Sequence, residues 1–349
     1  MRIALVNVSF EAGRGSDQVV IELGQRLEKE HKVTLFSFKP AKRENLNMEV
    51  VSPEGPGFGS LIRFIFYVRR ALLGYDVVNC HHAIISLILP RENLLTTYHG
   101  FRGRINLRIG QTVGELISRS VRRLLIRPAL FRSRAVAIVS RSLEAEASLS
   151  RTQSLRVIYN GVSPLTQIDI PGSPGHFLYV GRLDPDKNVR KLLEIYRSVG
   201  NLPKLFVAGD GIERGDLERD FSDGSIHFLG RMNHADLANL YSRAHAFVTT
   251  SAFETFCLPV IEAASLGCPS IGCRSGSLPE VISEGRTGWL ADDFAREGPE
   301  LLRKAAALSP EQREAIGRDC REWAARFSWD NALQQYCALY AEIAAGPAR

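Results

Sequence analysis

Two basic side chains stand close together in the second half of the chain. Residues 177–180 form an apolar run that predicts a strand, and Arg182 and Lys187 follow it before a helix that we expect from about Asn188. Both cations would then lie in a turn at the carboxyl end of the strand. Two fixed cations there could clamp a diphosphate without a metal ion. Taken alone, the same pattern also fits a solvated loop.

Two glutamates, Glu254 and Glu262, stand eight residues apart. We expect a helix to begin between them, with Glu254 before it and Glu262 roughly two turns inside it. The N–H groups of Phe256, Cys257 and Leu258 at the helix start could bind an anion. The carboxylates could hold sugar hydroxyls on one flank and ribose hydroxyls on the other. The competing interpretation is a buried capping glutamate and a surface glutamate.

Glycine pairs follow two of the predicted strands. Gly209 and Gly211 could let the backbone approach a phosphate or a ribose closely. They do not complete a dinucleotide-binding fingerprint, because position 214 is arginine. Gly13 and Gly15 fail the same test, because position 18 is glutamine. Both departures count against a nicotinamide-dependent enzyme.

Alternating strands and helices must position these side chains. The predicted strands of the first half are residues 2–8, 33–38, 77–80, 94–98 and 135–140. Those of the second half are residues 177–180, 204–208, 227–228, 246–249 and 270–272. Such alternation is typical of parallel sheets covered by helices on both faces.

The best candidate for a linker between two domains is residues 163–175, which hold three prolines and two glycines and show no periodicity. We therefore expect an α/β protein with two domains of about 150 residues each. Ligands of open parallel sheets bind beyond the carboxyl ends of the strands. Two facing sheets would form a cleft between the domains, where we expect the ligand.

The composition is that of an ordinary globular protein, with 45% hydrophobic and 23% charged residues among 349. No apolar run reaches the ~18 residues needed to span a bilayer, and the first residues lack the features of a signal peptide. The six scattered cysteines include no C-x-x-C pair. We therefore expect a reduced, cytoplasmic protein without a zinc ribbon or a redox motif.

Basic charge is concentrated in the first half. Residues 1–170 carry 24 basic and 14 acidic residues, whereas residues 171–349 carry 20 and 24. Residues 102–134 hold nine arginines and one acid, and apolar residues recur at helical spacing over residues 113–125. Such a helix could lie on an anionic membrane, with residues 61–73 as a second contact. The alternative is a core helix with a solvated basic edge. The arginines assigned to the membrane or acceptor side are Arg119, Arg122 and Arg123.

Several motifs occur in order along the chain. They include Y-H-G at 98–100, V-G-R-L at 180–183, A-G-D-G at 208–211, E-T-F-C-L-P-V-I-E-A at 254–263 and G-S-L-P-E-V-I-S-E-G at 276–285. With these motifs the chain resembles glycosyltransferase family 4, whose signature is the E-x7-E element. The resemblance implies a GT-B fold of two facing Rossmann-like domains. These would be residues 1–165, joined by a C-terminal helix 329–349, and residues 175–328.

The resemblance implies a role for each matched residue. Arg182 and Lys187 would neutralise the leaving diphosphate. Glu254 would hold the donor sugar, helped by the N–H groups at the helix start, and Glu262 would bind the ribose diol. His99 would contact the reacting sugar and the forming oxocarbenium ion. The other implied donor-binding residues are Gly15, Gly209, Gly211, Arg231, Phe256, Cys257 and Leu258.

The chain departs from the family pattern at a few positions. Arg14 stands where the family usually has the first of two adjacent glycines, so it would contact the phosphate or an anionic acceptor, or the loop would be shifted. Thr255 and Cys257 replace common glycines and would narrow the sugar pocket.

No metal ion is expected. Asp184 and Asp186 imitate a D-x-D metal motif, but their position in the turn favours turn and capping roles. His81 and His82 are adjacent, and adjacent residues of a strand point to opposite faces, so at most one would join His99.

The resemblance implies a retaining, metal-independent hexosyltransferase. It would use a nucleotide-diphospho-sugar and an acceptor such as a lipid-linked or cell-envelope glycan, and it could be peripheral on the inner face of the membrane. A non-catalytic sugar-nucleotide-binding partner subunit and a sugar-nucleotide epimerase are the alternatives. Nucleic acid is not expected as a partner, because no basic–aromatic platform is evident. The sequence does not fix the acceptor, and GDP-mannose, UDP-glucose and UDP-N-acetylhexosamine all stay open as donors.

Overall fold

The computed structural model describes residues 1–8, 15–38, 48–52, 58–100, 124–147, 154–163 and 175–346. The chain divides into two compact units. Unit 1 comprises residues 1–161 and 329–349, and unit 2 comprises residues 162–328. Each unit is a parallel sheet with helices, so the expected α/β fold class is confirmed.

Unit 1 contains a seven-stranded parallel sheet. Its strands are β1 (Arg2–Asn7), β2 (Lys32–Ser37), β3 (Glu49–Val51), β4 (Val77–Cys80), β5 (Leu94–Tyr98), β6 (Ala135–Ile138) and β7 (Ser154–Val157). Their spatial order is β3-β2-β1-β4-β5-β6-β7, so the direction of winding reverses between β1 and β4. The central strands are buried almost throughout, as expected for strands covered on both faces.

Helices follow most of the strands in both units. They are α1 (Gly15–Leu27), α2 (Phe58–Ala71), α3 (124–132), α4 (Glu144–Ala147), α5 (Val189–Val199), α6 (Arg214–Phe221), α7 (His234–Ser242), α8 (Leu258–Ser265), α9 (Leu278–Val281), α10 (Phe294–Ala306), α11 (Pro310–Ala325) and α12 (Trp329–Ala344).

The last helix, α12, completes unit 1. The Arg26 guanidinium of α1 lies 4.8 Å from the ring centroid of Trp329. The Asn79 side-chain amide on β4 donates a hydrogen bond of 2.8 Å to the Tyr340 hydroxyl, and Asn79 in turn accepts one from Thr97 on β5. Gly161 packs so closely on Trp329 that a Cβ there would lie 2.3 Å from the indole. Helix α12 is therefore packed into unit 1 as one of its structural elements.

Unit 2 contains a six-stranded parallel sheet. Its strands are β8 (His176–Val180), β9 (Lys204–Ala208), β10 (Ile226–Gly230), β11 (Ala244–Val248), β12 (Ser270–Cys273) and β13 (Gly288–Ala291). Their order is β10-β9-β8-β11-β12-β13, so the winding reverses between β8 and β11. Helix α8 packs against α7 and α11, and α10 packs against α5.

The sequence patterns did not predict three strands that are short or weakly apolar. Strand β3 has three residues, β7 is only partly buried, and β13 begins with a glycine. Of the basic helix expected over 113–131, residues 124–131 are described and helical, and the rest lies outside the described residues. Most of the predicted linker, residues 164–174, also lies outside them.

Candidate active site

The candidate site of unit 2 lies where β8 and β11 end side by side. These two strands are paired in parallel, so the segments that follow them leave the same edge of the sheet. The segment after β8 carries Arg182 and Lys187, and the segment after β11 carries Glu254 and leads into α8. The fold thus brings together residues that are far apart in sequence, at the position where open sheets bind ligands.

Lys187 and Glu254 form a buried ion pair. The Lys187 Nζ atom lies 2.5 Å from Glu254 Oε1, and the two side chains are 13% and 9% exposed. Lys187 ends a short 3-10 turn, Pro185–Lys187, and Asn188 after it adopts a left-handed conformation with φ 53°. The Thr250 hydroxyl donates a hydrogen bond of 2.9 Å to the Asn188 carbonyl, which fixes the turn to the end of β11.

Gly276 and Ser277 support Glu254 from behind. The Ser277 N–H donates a hydrogen bond of 2.9 Å to the Glu254 carbonyl. Gly276 has φ +56°, and a Cβ there would lie 2.3 Å from the Glu254 carbonyl oxygen. These residues begin the G-S-L-P-E motif, which carries part of the resemblance and for which the sequence alone predicts no role. Its structural role is to hold the Glu254 backbone.

Helix α8 begins beside this pair. Cys257 is its N-cap, with φ 65°, and its side chain makes no capping hydrogen bond. Phe256 is buried against Phe327, with ring centroids 5.8 Å apart. Because the first N–H groups of a helix have no acceptor within it, the start of α8 offers donors to an anion. Burial raises the pKa of the Cys257 thiol, which therefore stays neutral at the helix start.

Glu262 lies about one turn inside α8. The prediction of two turns was wrong, because the helix begins only at Leu258. The Tyr241 hydroxyl of α7 donates a hydrogen bond of 3.2 Å to Glu262 Oε2. Burial raises the pKa of Glu262, and the hydrogen bond from Tyr241 opposes that shift. Tyr241 is a contact that sequence spacing could not reveal.

Arg182 is held by the acids of its own turn. Its guanidinium pairs with Asp184 through a close contact and with Asp186 at 3.5 Å, and its side chain is 43% exposed. Asp184 also accepts a hydrogen bond of 3.3 Å from the Ile212 N–H. The two aspartates thus serve the turn and Arg182. Among the residues that the structure describes, no group of three or more His, Cys, Asp or Glu side chains could hold a metal ion.

Gly209 and Gly211 allow two loops of unit 2 to pack together. A Cβ on Gly209 would lie 1.8 Å from the Gly181 carbonyl oxygen, and one on Gly211 would lie 2.4 Å from that of Leu183. The close approach in the structure is therefore to the turn that carries Arg182. Arg231 is 82% exposed, and its Nε lies 3.4 Å from Asp210. Contact of these residues with a nucleotide stays a prediction.

A second polar group lies at the carboxyl edge of unit 1. His81 follows β4 and His99 follows β5, and these strands are paired in parallel. His81 Nδ1 lies 2.9 Å from His99 Nε2. Burial lowers the pKa of His99 to about 4, with a smaller contribution from His82. His99 is therefore neutral at physiological pH. The structure brings one of the adjacent histidines, His81, into direct contact with His99.

Nearby, α1 begins at Gly15, and Asp17 in its first turn is buried and accepts a hydrogen bond of 3.0 Å from Asn7 at the end of β1. The remaining predicted positions of unit 1, Arg14, Arg119, Arg122 and Arg123, lie outside the described residues. Within the described ranges, no helix is long and apolar enough to cross a bilayer.

Two family models match the chain in succession. The model of glycosyltransferase family 4 matches residues 13–164, and the model described as glycosyl transferases group 1 matches residues 166–323. In sequence, sulfoquinovosyl transferase SQD2 of Arabidopsis thaliana is 34% identical over 172 residues, which are 46% of this chain and 33% of that protein. The matched region spans less than half the length of the first curated relatives.

Solved structures share the fold along nearly the whole chain. Sucrose-phosphate synthase of Thermosynechococcus elongatus has a TM-score of 0.81 at 21% identity, over 99% of both chains. HepE of Anabaena, in complex with UDP-glucose, has a TM-score of 0.80 at 17% identity, over 98% of this chain and 100% of that one. At these identities the likeness establishes the fold, two Rossmann-like units of the GT-B type. The two family models together cover residues 13–323 except residue 165, and the fold is the one these families share. The chain therefore belongs to glycosyltransferase family 4, the group 1 glycosyl transferases.

Proposed function

We propose that the chain is a retaining glycosyltransferase that moves a hexosyl unit from a nucleotide-diphospho-sugar to an acceptor hydroxyl, without a metal ion. The observation that carries this proposal is the buried Lys187–Glu254 pair beside the start of α8. It combines a cation for the diphosphate, a carboxylate for sugar hydroxyls and main-chain donors for an anion. The combination suits a substrate that is a phosphate ester at one end and a sugar at the other.

The leaving diphosphate gains negative charge as its bond to the sugar breaks. An ammonium group has three N–H donors, and one of those of Lys187 is directed at Glu254. Its other donors and the N–H groups of Cys257 and Leu258 would bind the phosphate oxygens. A donor of this kind in a preorganised site contributes about 3 kcal/mol to transition-state stabilisation. Arg182, which is more exposed, would meet the outer phosphate oxygens.

The two glutamates would orient the donor at its two ends. Glu254 would accept hydrogen bonds from the hydroxyls of the sugar. Glu262, one turn into α8 and held by Tyr241, would accept them from the ribose diol. Arg231 would lie near the base, and Gly209 and Gly211 would line the nucleotide site.

The transfer breaks the bond between C1 of the sugar and the diphosphate oxygen and forms a bond from C1 to the acceptor oxygen. The acceptor proton passes to the departing diphosphate. Attack on the face from which the diphosphate leaves retains the configuration at C1, and no side chain serves as a nucleophile. Positive charge develops on the sugar ring, so a neutral His99 would contact it without repulsion. Gly15 and Arg14 would lie near the phosphates.

The relatives support a nucleotide-sugar donor. The HepE structure of similar fold contains UDP-glucose, and the Arabidopsis relative is named for the transfer of sulfoquinovose. The base stays open between UDP and GDP, because the GDP-mannose-dependent alpha-mannosyltransferase of Corynebacterium glutamicum is also 36% identical over 123 residues.

Thermal denaturation with UDP, GDP and ADP tests the donor site. A nucleotide present at 100 times its Kd stabilises the folded state by about 2.7 kcal/mol, which raises the Tm by several degrees. We expect one of the three to do so, and Glu262→Ala to reduce the shift. Absence of a shift with every nucleotide, or an unchanged shift in Glu262→Ala, would contradict the proposal.

The acceptor is proposed to be lipid-linked, and α2 supports this part of the proposal. Its Phe64 and Val68 are buried, whereas Phe66 and Tyr67 are 70% and 56% exposed. Basic residues accompany them, and α2 contains no acid; the exposed arginines are Arg63, Arg69 and Arg70. Exposed aromatic rings beside arginines are suited to the interface of an anionic bilayer.

Flotation with vesicles of phosphatidylglycerol and phosphatidylcholine tests this surface. We expect salt-sensitive binding that Phe66→Ser weakens and that vesicles of phosphatidylcholine alone do not support. Ile212→Ser, which alters an exposed apolar residue of unit 2, is the matched control. If the protein does not float with anionic vesicles, or if both variants float equally well, α2 is not a membrane contact.

A further inference from the structure

His81 and His99 are joined edge to edge at the carboxyl edge of unit 1. Their ring centroids are 5.2 Å apart, their planes differ by 26°, and the closest nitrogens are 2.9 Å apart. The centroid separation is close to the sum of the nitrogen–nitrogen distance and the two ring radii, so both nitrogens lie nearly on the line that joins the centroids. The distances describe two nearly coplanar imidazoles that share a hydrogen bond between His81 Nδ1 and His99 Nε2.

Both rings are uncharged in this arrangement. Burial lowers the pKa of His81 well below its ordinary value, and the neighbouring His99 lowers it further. The titratable groups that act on His99 within the described residues are His81 and His82. A neutral imidazole carries one N–H, so one ring donates to the other and the donor's identity fixes both tautomers.

The surroundings of His81 favour one of the two tautomers. His81 Nε2 is buried and has no hydrogen-bond partner among the described residues. Buried N–H groups without an acceptor are rarer in proteins than acceptors without a donor. The proton of His81 therefore belongs on Nδ1, from which it is donated to His99 Nε2. His99 must then carry its own proton on Nδ1, at the ring edge turned away from His81.

We propose that His81 is a positioning residue that fixes the ring and the tautomer of His99, so that His99 presents a neutral Nδ1–H donor to the reacting sugar. The inference rests on the proposed transferase function, which supplies the ligand of His99. A neutral donor can hydrogen-bond a sugar hydroxyl without adding a positive charge beside the developing oxocarbenium ion. Without His81, the His99 ring could turn and move its proton to the other nitrogen.

Three variants test the positioning role by kinetics. His81→Leu removes the hydrogen bond, and we expect kcat to fall about 10- to 100-fold, by analogy with the loss of a group that orients a metal-ligating histidine. The Kd of the nucleotide should stay unchanged, because His81 is not among the residues proposed to bind it. His81→Asn retains a side-chain N–H close to the position of Nδ1 and should recover most of kcat. His31→Leu, a histidine beyond the end of α1, is the control.

A purely structural role would give a different result. It would lower the Tm together with kcat and would weaken nucleotide binding in partly unfolded samples. Wild-type kcat in His81→Leu, or equal losses in His81→Leu and His81→Asn at equal Tm, would overturn the inference.

Nitrogen-15 NMR of the histidine rings reads the tautomer directly and does not need turnover. We expect Nδ1 of His99 to be protonated in the wild type, and the Nε2–H form to gain population in His81→Leu. A protonated Nε2 on His99 in the wild type would reject the inference, whether or not the protein transfers sugar. If the wild type transfers no sugar from any nucleotide sugar, the proposed function fails, and the NMR result still decides the tautomer.

Discussion

Each unit places a polar pair after two neighbouring strands, at the carboxyl edge of its sheet, and the two pairs differ in electrostatic character. In unit 2, Lys187 and Glu254 follow the neighbouring strands β8 and β11 and form an ion pair. In unit 1, His81 and His99 follow the neighbouring strands β4 and β5 and form a neutral hydrogen bond. The charged pair stands where the winding of its sheet reverses, and the neutral pair stands one strand away from that position.

The difference shows how burial acts on different side chains. Two opposite charges in contact can remain ionised in a protein interior, because each replaces part of the other's hydration. Two histidines in contact repel each other when both are charged, and burial also disfavours the charged form of each. Both effects keep the pair neutral. One architecture can therefore supply charge for a diphosphate in one unit and an uncharged donor in the other.

Removing either member of the charged pair should have the largest effect. We expect Lys187→Ala and Glu254→Ala each to lower kcat by about 100-fold or more, because each removes a contact to developing charge or to the sugar. Steady-state kinetics measures the change in kcat, with a sugar donor of the nucleotide that the thermal-denaturation test identifies. Lys204→Ala is the control, because Lys204 lies at the amino end of β9 and the candidate site lies at the carboxyl ends of the strands. Near-wild-type turnover in either variant of the pair would remove the basis of the proposed function.

Displacing the pair without changing its charge sharpens the comparison. Gly276→Ala would place a Cβ 2.3 Å from the Glu254 carbonyl oxygen, so the Glu254 backbone must move. A displacement of this kind is expected to cost about 10-fold in kcat. Gly285→Ala is the matched control, because Gly285 also has a positive φ, +73°, but faces open space. Equal kinetic effects of the two substitutions would mean that the close packing on Glu254 is unimportant.

The ribose end of the proposed donor site should show a smaller, pH-dependent effect. Tyr241→Phe removes the hydrogen bond that lowers the pKa of Glu262, so that pKa should rise further. Glu262 must be ionised to accept from both ribose hydroxyls, so nucleotide affinity should weaken as the pH falls. The variant should lose affinity at a higher pH than the wild type, by a few-fold at mildly acid pH. Calorimetric titration from pH 8 to pH 5.5 measures the difference, and superimposable profiles would contradict it.

Removal of divalent metal ions should have no effect. Lys187, Arg182 and the start of α8 are proposed to neutralise the diphosphate, so EDTA should leave kcat unchanged. Activity that EDTA abolishes and magnesium restores would show that the charged pair does not act alone.

Periodicity and motif order were sufficient to predict the fold class, because long apolar strands and amphipathic helices dominate both units. They could not show which side chains meet. Lys187 and Glu254 were assigned separate roles from sequence, and only the pairing of β8 with β11 brings them within 2.5 Å. Tyr241 likewise reaches Glu262 from a different helix.

The wrong helix boundary came from local backbone geometry. The helix after Glu254 was expected to begin early enough to place Glu262 two turns inside it. The left-handed conformation of Cys257 delays the helix until Leu258. Such a conformation is uncommon for a residue other than glycine and leaves no periodic signal in the sequence.

The path of α12 has a consequence for biogenesis. Unit 2 is continuous in sequence, whereas unit 1 needs residues 329–344 to cover Asn79 and Gly161. During synthesis on the ribosome, the sheet of unit 1 emerges first, but the Asn79 amide can pair with the Tyr340 hydroxyl only after α12 has been made. We therefore expect the later-made unit to reach its final state before the earlier one, the reverse of the usual vectorial order.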